Sequence, residues 1–216
     1  MGAGMADEWR EAWSVKGFRA ALVSGLAGAV AVVVVLPRFF EWVGMRPGTR
    51  PWDPLLASWG PMDVSAATFI VLYASLLLAV LSALRYPFRM LQGLWAYVLM
   101  LALRMAAMAV FTLEPPHDII PLVDPFTQNF YPGESPFLKD LFFSGHTATL
   151  VLMALLSPRG PVRWLVALGA LAVAMLVLAQ HVHWTVDVLA AVPAAWLAWA
   201  SAGALMRRLA VSEGAQ

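Results

Sequence analysis

The stretch His181-Val182-His183-Trp184-Thr185-Val186-Asp187 holds two histidines and a carboxylate at spacings that suit catalysis. His183 and Asp187 are four residues apart, so in a helix they share one face. A carboxylate that accepts the imidazole N–H fixes its tautomer and leaves the other ring nitrogen as nucleophile or base. If this region is helical, His181 points away from the face that carries His183 and Asp187. It would then lie either around the site or at the membrane interface. A buried structural His–Asp pair is the alternative interpretation.

The stretch Phe143-Ser144-Gly145-His146-Thr147 stands at the start of an apolar run. Ser144 suits the N-cap of a helix, and Gly145 lets a ligand approach the backbone closely. The free amides and positive dipole end of a helix N-terminus favour a phosphate. His146 would lie in this first turn, where it would donate a proton to a phosphate ester. An ordinary capped helix with a histidine at the membrane interface would carry the same residues.

Arg104 lies well inside an apolar run, too far from either end for its side chain to snorkel comfortably to water. A buried arginine needs an anionic partner. We expect that partner to be a substrate phosphate or Glu114.

The composition of the 216-residue chain, 61% hydrophobic and 12% charged, requires lipid to cover part of the surface. Soluble domains are roughly half apolar and about a quarter charged. A formal net charge of +1 implies no nucleic-acid partner. The absence of cysteine excludes disulfides, thiolate catalysis and cysteine-ligated metals.

The elements that must position the histidines are apolar helices, because a bilayer core needs roughly 20 apolar residues in a helix. The pattern predicts an all-α polytopic membrane protein, a bundle of about six transmembrane helices in one domain over residues 1–216. Asp63 is a plausible N-cap for the second span. The predicted spans are Ala20–Leu36, Val64–Leu84, Met90–Leu113, Phe142–Leu156, Val162–Gln180 and Trp184–Leu205.

Lysine and arginine predict the orientation of these spans, since they concentrate in cytoplasmic loops. Nine of the 14 fall on one side, four fall on the other, and Arg104 lies within a span. Both termini, residues 1–19 and 206–216, are therefore predicted to be cytoplasmic. All four histidines, including His117, are then predicted to lie at the outer face.

The two histidine motifs, in this order, resemble signature motifs of the sphingomyelin synthase branch of the type-2 phosphatidic acid phosphatase superfamily. Those motifs read roughly Tyr-Ser-Gly-His-Thr and His-Glu-His-Tyr-(Ser/Thr)-(Val/Ile)-Asp-Val. Arg104 with Thr112-Leu113 is similar to part of another motif of that branch. The resemblance covers the third to sixth spans, and it implies six spans with a site on the exoplasmic face.

The resemblance implies a phosphohistidine mechanism that needs no metal or cofactor. His183 would attack phosphorus, Asp187 would orient it, and His146 would protonate the leaving alcohol and then activate the acceptor. The residues implied to surround the phosphate are Ser144, Gly145, Thr147 and Arg104, with Glu114 and His181 in a wider network.

The departures from the phosphatase branch concern its basic phosphate clamp. That branch has Lys-x6-Arg-Pro, Pro-Ser-Gly-His and a Ser-Arg pair before its nucleophile. Here Phe143 replaces the proline and Val177 stands where that arginine would fall. Arg104 and Lys139 are the visible substitutes, which favours the sphingomyelin-synthase-like branch over phosphomonoesterase activity.

The predicted outer loop before the fourth span is rich in aromatic residues, which suit a membrane interface. We expect it to lie on the bilayer as a rim over the lipid entrance, with simple interfacial anchoring as the alternative. Its residues of interest are Pro121, Phe126, Phe130, Tyr131 and Phe137.

The sequence thus predicts an enzyme that cleaves or transfers the phosphate or phospho-headgroup of a membrane lipid at the outer face. The alanine-rich chain suits a bacterial inner membrane, with the site facing the periplasm or exterior. A lipid phosphatase that releases inorganic phosphate would share the first half-reaction. Two further alternatives are a zinc hydrolase, with ligands His146, His181, His183 and Asp187, and a non-enzymatic lipid transporter or scaffold.

Overall fold

The computed structural model describes residues 4–122 and 138–209. Within these residues the chain forms seven α-helices and a short 3-10 helix, Leu56–Ser58. The α-helices are α1 (Met5–Ser14), α2 (Phe18–Gly44), α3 (Ser65–Ala83), α4 (Pro87–Val110), α5 (Gly145–Leu156), α6 (Pro161–Ala179) and α7 (Thr185–Arg208).

The predicted all-α membrane bundle is confirmed, with one short helix among its spans. Among the described residues, α2, α3, α4, α6 and α7 are long and apolar enough to cross a membrane. The fourth predicted span is shorter than expected, because its helix begins at Gly145 rather than Phe142. Its 12 residues extend about 18 Å, whereas a bilayer core is about 30 Å thick.

Tertiary contacts decide several boundaries that hydropathy placed differently. Helix α2 continues through Pro37 to Gly44, because Phe40 and Val43 in this extension are buried against the bundle. Helix α4 ends at Val110, because the following chain forms a parallel β-bridge between Thr49 and Leu113.

The predicted N-cap of α3 is wrong by one position. Val64 occupies the N-cap, and the helix begins at Ser65. Asp63 still contributes, because its carboxylate accepts hydrogen bonds from the Ser65 amide at 3.1 Å and the Ser65 hydroxyl at 2.8 Å.

Helix α5 lies at the centre of the bundle, where it packs against α3, α4, α6 and α7. Glycine allows α4 and α5 to approach closely: a Cβ on Gly93 of α4 would lie 2.9 Å from a methyl carbon of Leu156 in α5. Small residues at helix interfaces let helices in a membrane pack closely. The C-terminal end of α5 therefore packs closely against α4.

The loops gather at two ends of the bundle, in the same groups that the charge pattern predicts. At one end Trp9 donates to Leu84 O, and Arg89 donates to Leu156 O. At the other end the Thr185 amide donates to Asp53, and the Ser144 amide donates to Asp187 O. The second end carries both histidine motifs.

Candidate active site

The predicted His183–Asp187 pair is formed, although His183 precedes α7 and does not share a helix face with Asp187. Nδ1 of His183 lies 3.4 Å from Oδ2 of Asp187. The same carboxylate oxygen accepts the backbone amide of Trp184 at 3.0 Å, in the first turn of α7. Both side chains are buried, with His183 2% and Asp187 0% exposed. The Asp187 carboxylate therefore has two roles: it caps the N-terminus of α7, and it orients the His183 imidazole.

The other oxygen of Asp187 is buried without a hydrogen-bond partner among the described residues. Buried polar atoms are normally paired. This oxygen is therefore available to accept a further hydrogen bond at the site.

Ser144 caps α5 as the sequence predicts. Its hydroxyl oxygen accepts the Thr147 amide at 3.4 Å, and it donates to the Thr147 hydroxyl at 3.1 Å. The Ser144 amide donates to the backbone oxygen of Asp187 at 3.1 Å. This last bond joins the N-termini of α5 and α7, so it fixes one histidine motif against the other.

His146 and His183 are brought together by this junction. Their ring centroids are 6.4 Å apart with an interplanar angle of 64°. The ring centroid of Phe69 in α3 also lies 6.4 Å from that of His146. The two imidazoles are therefore neighbours at the junction of the α5 and α7 N-termini.

Arg104 is held by Asp140, whereas Glu114, the protein partner expected from the sequence, pairs with Lys139. The other expected partner, a substrate phosphate, stays a prediction. The Arg104 guanidinium donates to Asp140 Oδ1 at 2.5 Å and to Asp140 O at 3.0 Å. Its Nε donates to Phe143 O at 2.7 Å. Arg104 therefore fixes the segment that leads into α5.

Gly145 packs directly on the Arg104 guanidinium. A Cβ at Gly145 would lie 3.1 Å from Cζ and 3.2 Å from Nε of Arg104. The close packing of Arg104 thus explains why a glycine occupies position 145, and the sequence alone does not reveal this contact.

Glu114 and Lys139 form a separate ion pair at 2.7 Å. Glu114 also accepts the Gly48 amide at 3.0 Å, and its backbone oxygen accepts the Trp184 indole N–H at 2.9 Å. The hydrogen bond from Lys139 lowers the pKa of Glu114 below its usual range. Glu114 therefore ties together three loops beside the site.

His181 faces away from the His183–Asp187 pair and contacts Asp118 instead. It adopts a positive φ of 56°, and its Nδ1 lies 3.0 Å from Asp118 Oδ1. This hydrogen bond lowers the pKa of Asp118. Within the described residues, no three His, Asp or Glu side chains form a cluster that could hold a metal ion. The four zinc ligands considered from the sequence are therefore not assembled.

Asp53 is a residue of this region that the sequence analysis missed. Its carboxylate accepts the Thr185 amide at 2.7 Å and the Thr185 hydroxyl at 3.0 Å. Burial favours a higher pKa for Asp53, but hydrogen bonds from Thr185 and the Leu56 amide lower it. Asp53 thus caps the helix that carries Asp187. No local signal identifies it, because Asp53 and Thr185 are 132 residues apart.

Asp140 was also missed, although one signal was available. It is an acidic residue beside an apolar run, in a chain whose buried Arg104 needs an anionic partner. Pairing the two requires knowing that α4 lies beside the start of α5.

A cavity of about 360 Å³ reaches this site from the side of the bundle. Arg104, Asp140, Gly145 and His146 form its polar end. His183 lies beside His146 rather than on the cavity wall, and Ser144 and Thr147 pair with each other away from the lining. A ligand in the cavity would therefore meet His146 first.

The predicted aromatic rim falls mostly outside the described residues. Phe126, Phe130, Tyr131 and Phe137 belong to the part of the chain that is not described, and Pro121 is exposed. The rim stays a prediction.

Comparison with known proteins relates part of the chain to a protein family. Residues 139–203 match the family model described as PAP2 superfamily C-terminal. This segment includes α5, α6 and most of α7, and with them His146, His183 and Asp187. No curated protein and no solved structure matches the chain. The match supports the PAP2 superfamily, while assignment to the sphingomyelin-synthase-like branch stays a prediction.

Proposed function

We propose that this protein is a membrane enzyme that cleaves or transfers the phospho-headgroup of a lipid through a phosphohistidine on His183. One observation carries the proposal: a buried His183–Asp187 pair lies against His146 where two helix N-termini meet beside a cavity. Similarity of residues 139–203 to the PAP2 superfamily points to lipid phosphatase or phosphotransferase chemistry.

In the first step Nε2 of His183 attacks phosphorus while Nδ1–H hydrogen-bonds to Asp187. The bond between phosphorus and the leaving oxygen breaks as the P–N bond forms. Protonated His146 gives its proton to that oxygen, so the alcohol leaves neutral. Asp187 stabilises the positive charge that develops on His183, as the acidic member of a catalytic triad does.

In the second step His146, now neutral, removes a proton from an acceptor hydroxyl. The acceptor oxygen attacks phosphorus and the P–N bond breaks, which returns His183 to its starting state. Water as acceptor gives hydrolysis, and an alcohol gives transfer.

The charge balance of the site favours a phosphodiester over a phosphomonoester dianion. Arg104 is paired with Asp140, and Lys139 is paired with Glu114. Neither cation is uncompensated, and a dianion entering beside two carboxylates would be repelled. A lipid phosphatase that releases inorganic phosphate is the second candidate, because it needs the same first step.

The excess of Lys and Arg at the opposite end supports an active site at the outer face. We place the protein in a bacterial inner membrane, with the site toward the periplasm or exterior.

The test uses purified protein in detergent with a panel of phospholipids and lipid phosphates, in the presence of EDTA. Mass spectrometry follows headgroups, diacylglycerol and inorganic phosphate. We expect release of a phospho-headgroup that His183→Ala abolishes and the matched control His117→Ala, an exposed histidine at the same end, leaves unchanged. Inorganic phosphate as sole product would select the phosphatase candidate, and equal activity in His183→Ala would refute the mechanism.

A second experiment tests for the phosphohistidine intermediate. It uses the His146→Ala variant with a p-nitrophenyl phosphodiester as substrate. Because p-nitrophenolate leaves without a proton, the first step persists while the second lacks its base. We expect a burst of one p-nitrophenol per active site and phosphorylated His183 in peptide mapping. Steady turnover without a burst would contradict a covalent intermediate.

A further inference from the structure

A second polar cluster lies where α5 ends, at the end of the bundle opposite the histidine motifs. Arg89, in the first turn of α4, donates through Nε to Leu156 O at 3.0 Å and through Nη2 to Leu155 O at 2.6 Å. Arg163, in the first turn of α6, donates to Ser157 O through Nε at 3.0 Å and through Nη2 at 2.6 Å. Nη2 of Arg89 also reaches Ser157 O, at 3.1 Å. Two guanidiniums therefore cap the carbonyl end of α5 side by side.

This capping uses only one edge of each guanidinium. Nη1 of Arg89 and Nη1 of Arg163 have no hydrogen-bond partner within residues 4–122 and 138–209, and neither atom is fully buried. A guanidinium carries its N–H donors in a fixed planar fork. Because the α5 carbonyls hold both forks in place, the unused donors are positioned before a ligand arrives.

The positive charge of this cluster is not balanced by a carboxylate in the described part of the chain. Arg159, an exposed residue in the turn between α5 and α6, interacts electrostatically with both Arg89 and Arg163. No described Asp or Glu forms an ion pair with any of the three arginines. Like charges that lie close together repel, so an anion bound between them would relieve the repulsion.

The depth of the cluster in the membrane is indicated by two tryptophans. Trp164, next to Arg163, is 71% exposed. Trp199 of α7 lies beside Arg89, with 5.6 Å between its ring centroid and the Cζ atom of the arginine. Tryptophan concentrates at the interface between the bilayer and water. The unused N–H donors therefore lie at the depth of lipid headgroups.

We propose that Arg89, Arg159 and Arg163 form a binding site for the headgroup of an anionic phospholipid, separate from the active site. Nη1 of Arg89 and Nη1 of Arg163 donate to phosphate oxygens, and Arg159 covers the phosphate from the turn. A zwitterionic headgroup would bring its own cation to three arginines, so the site favours a headgroup with net negative charge. Basic pockets between transmembrane helices bind anionic headgroups in this way.

The first test compares the affinities of phosphatidylglycerol and phosphatidylcholine with the same acyl chains, by native mass spectrometry. We expect the wild type to bind phosphatidylglycerol about tenfold more tightly, a difference that fits the loss of charge-assisted hydrogen bonds. Equal affinities for the two lipids would overturn the proposal.

Arg159→Gln tests the cluster without disturbing the capping of α5, because Arg159 makes no hydrogen bond within the described residues. We expect its affinity for phosphatidylglycerol to fall about fivefold, the contribution of one arginine beside an anionic lipid. Arg208→Gln is the matched control, since it removes the same charge from an exposed position at the end of α7. Equal losses in the two variants would indicate diffuse attraction and overturn the site.

Hydrogen exchange locates the bound lipid, and it requires no turnover. The protein is compared in phosphatidylcholine nanodiscs with and without phosphatidylglycerol. We expect phosphatidylglycerol to slow exchange in residues 157–164 and to leave residues 143–147 and 183–187 unchanged. Slowing confined to the two histidine motifs would place the lipid at the active site and overturn the inference.

Inorganic phosphate distinguishes a lipid headgroup from a soluble anion. Burial of acyl chains in the bilayer strengthens the binding of a lipid but not that of a free ion. We therefore expect a large excess of inorganic phosphate to leave the exchange of residues 157–164 in phosphatidylcholine nanodiscs unchanged. Protection by phosphate equal to that by phosphatidylglycerol would assign the site to a soluble anion instead.

Discussion

Arg104 of α4 and Asp140, five residues before α5, form an ion pair of 2.5 Å inside the bundle. Arg104 is 6% exposed and also donates to Phe143 O at 2.7 Å. The guanidinium thus connects α4 to the segment that sets the position of His146.

The first prediction concerns Asp140→Asn. Loss of the carboxylate leaves a largely buried guanidinium with weaker partners, and we expect unfolding free energy to fall by about 1.5–3 kcal/mol. Inorganic phosphate, a small anion, should restore part of this stability. Thermal unfolding with and without phosphate would show a larger phosphate-induced increase in Tm in the variant than in the wild type.

The exposed pair of Arg10 and Asp7, at 2.8 Å, supplies the control. Asp7→Asn should leave Tm unchanged, because surface ion pairs contribute little. Equal Tm values for wild type and Asp140→Asn would contradict a structural role for the buried pair.

The second prediction concerns Asp187→Asn. The amide cannot stabilise a charged His183 and favours the wrong tautomer, so kcat should fall by about 10³–10⁴. Stability should fall by only about 1 kcal/mol, since the side-chain oxygen can still accept the Trp184 amide. Steady-state kinetics and thermal unfolding measure the two effects separately.

Asp63→Asn is the matched control, because Asp63 is an exposed carboxylate at the start of α3, at the same end of the bundle. Its kcat should match that of the wild type. A decrease in kcat of less than tenfold in Asp187→Asn would show that Asp187 is not a catalytic partner of His183.

The third prediction concerns Gly145→Ala. The new Cβ would lie 3.1 Å from Cζ of Arg104, so the guanidinium or the α5 N-terminus must shift. Small displacements of catalytic groups cost up to about 100-fold in rate, and we expect a loss of that order in kcat. Gly60→Ala should be neutral, because no neighbouring atom lies within 4 Å of its Cβ position. Wild-type kcat in Gly145→Ala would show that this contact is not needed.

The fourth prediction concerns Asp53 as a positioning residue for α7. Asp53→Ala removes the acceptor of the Thr185 amide and hydroxyl, and it should cost about 1 kcal/mol of stability, as loss of an N-cap does. It should lower kcat more than it raises KM, because His183 and Asp187 lose their fixed placement.

A double-mutant cycle with Thr185→Val checks the contact itself. If the Thr185 hydroxyl acts through Asp53, the second substitution should add little to the effect of the first. Fully additive losses would show that the two residues act independently.

The fifth prediction is a pH dependence of stability at the site end of the bundle. The hydrogen bond from Lys139 lowers the pKa of Glu114 in the folded protein, below the usual value of about 4.3. A lowered folded-state pKa contributes stability that is present above the unfolded pKa and lost as pH falls through the folded pKa. The wild type should therefore lose stability below about pH 4.3.

Thermal unfolding of wild type and Glu114→Gln between neutral and acid pH measures this contribution. The Gln variant should be less stable at neutral pH, and the difference should shrink as the pH falls. A difference that stays constant across the range would mean that Glu114 does not contribute through its charge.

The local parts of the site were determined by the sequence alone. His183 lies two residues before α7, and its contact with Asp187 is made at the helix N-terminus. Ser144 caps α5 because its hydroxyl reaches an amide three residues away. Such contacts depend on the local geometry of a helix N-terminus. Composition likewise determined the membrane bundle, because lipid must cover what charged residues do not.

Only the tertiary structure decided which charges meet. Glu114 is ten residues beyond Arg104, about 15 Å along a continued helix, and the chain turns away after Val110 to pair with Thr49. Asp140, which is 36 residues from Arg104, reaches it because α5 packs beside α4. An ion pair forms when packing brings two opposite charges within a few ångströms of each other. For residues on separate helices, this distance cannot be read from their spacing along the sequence.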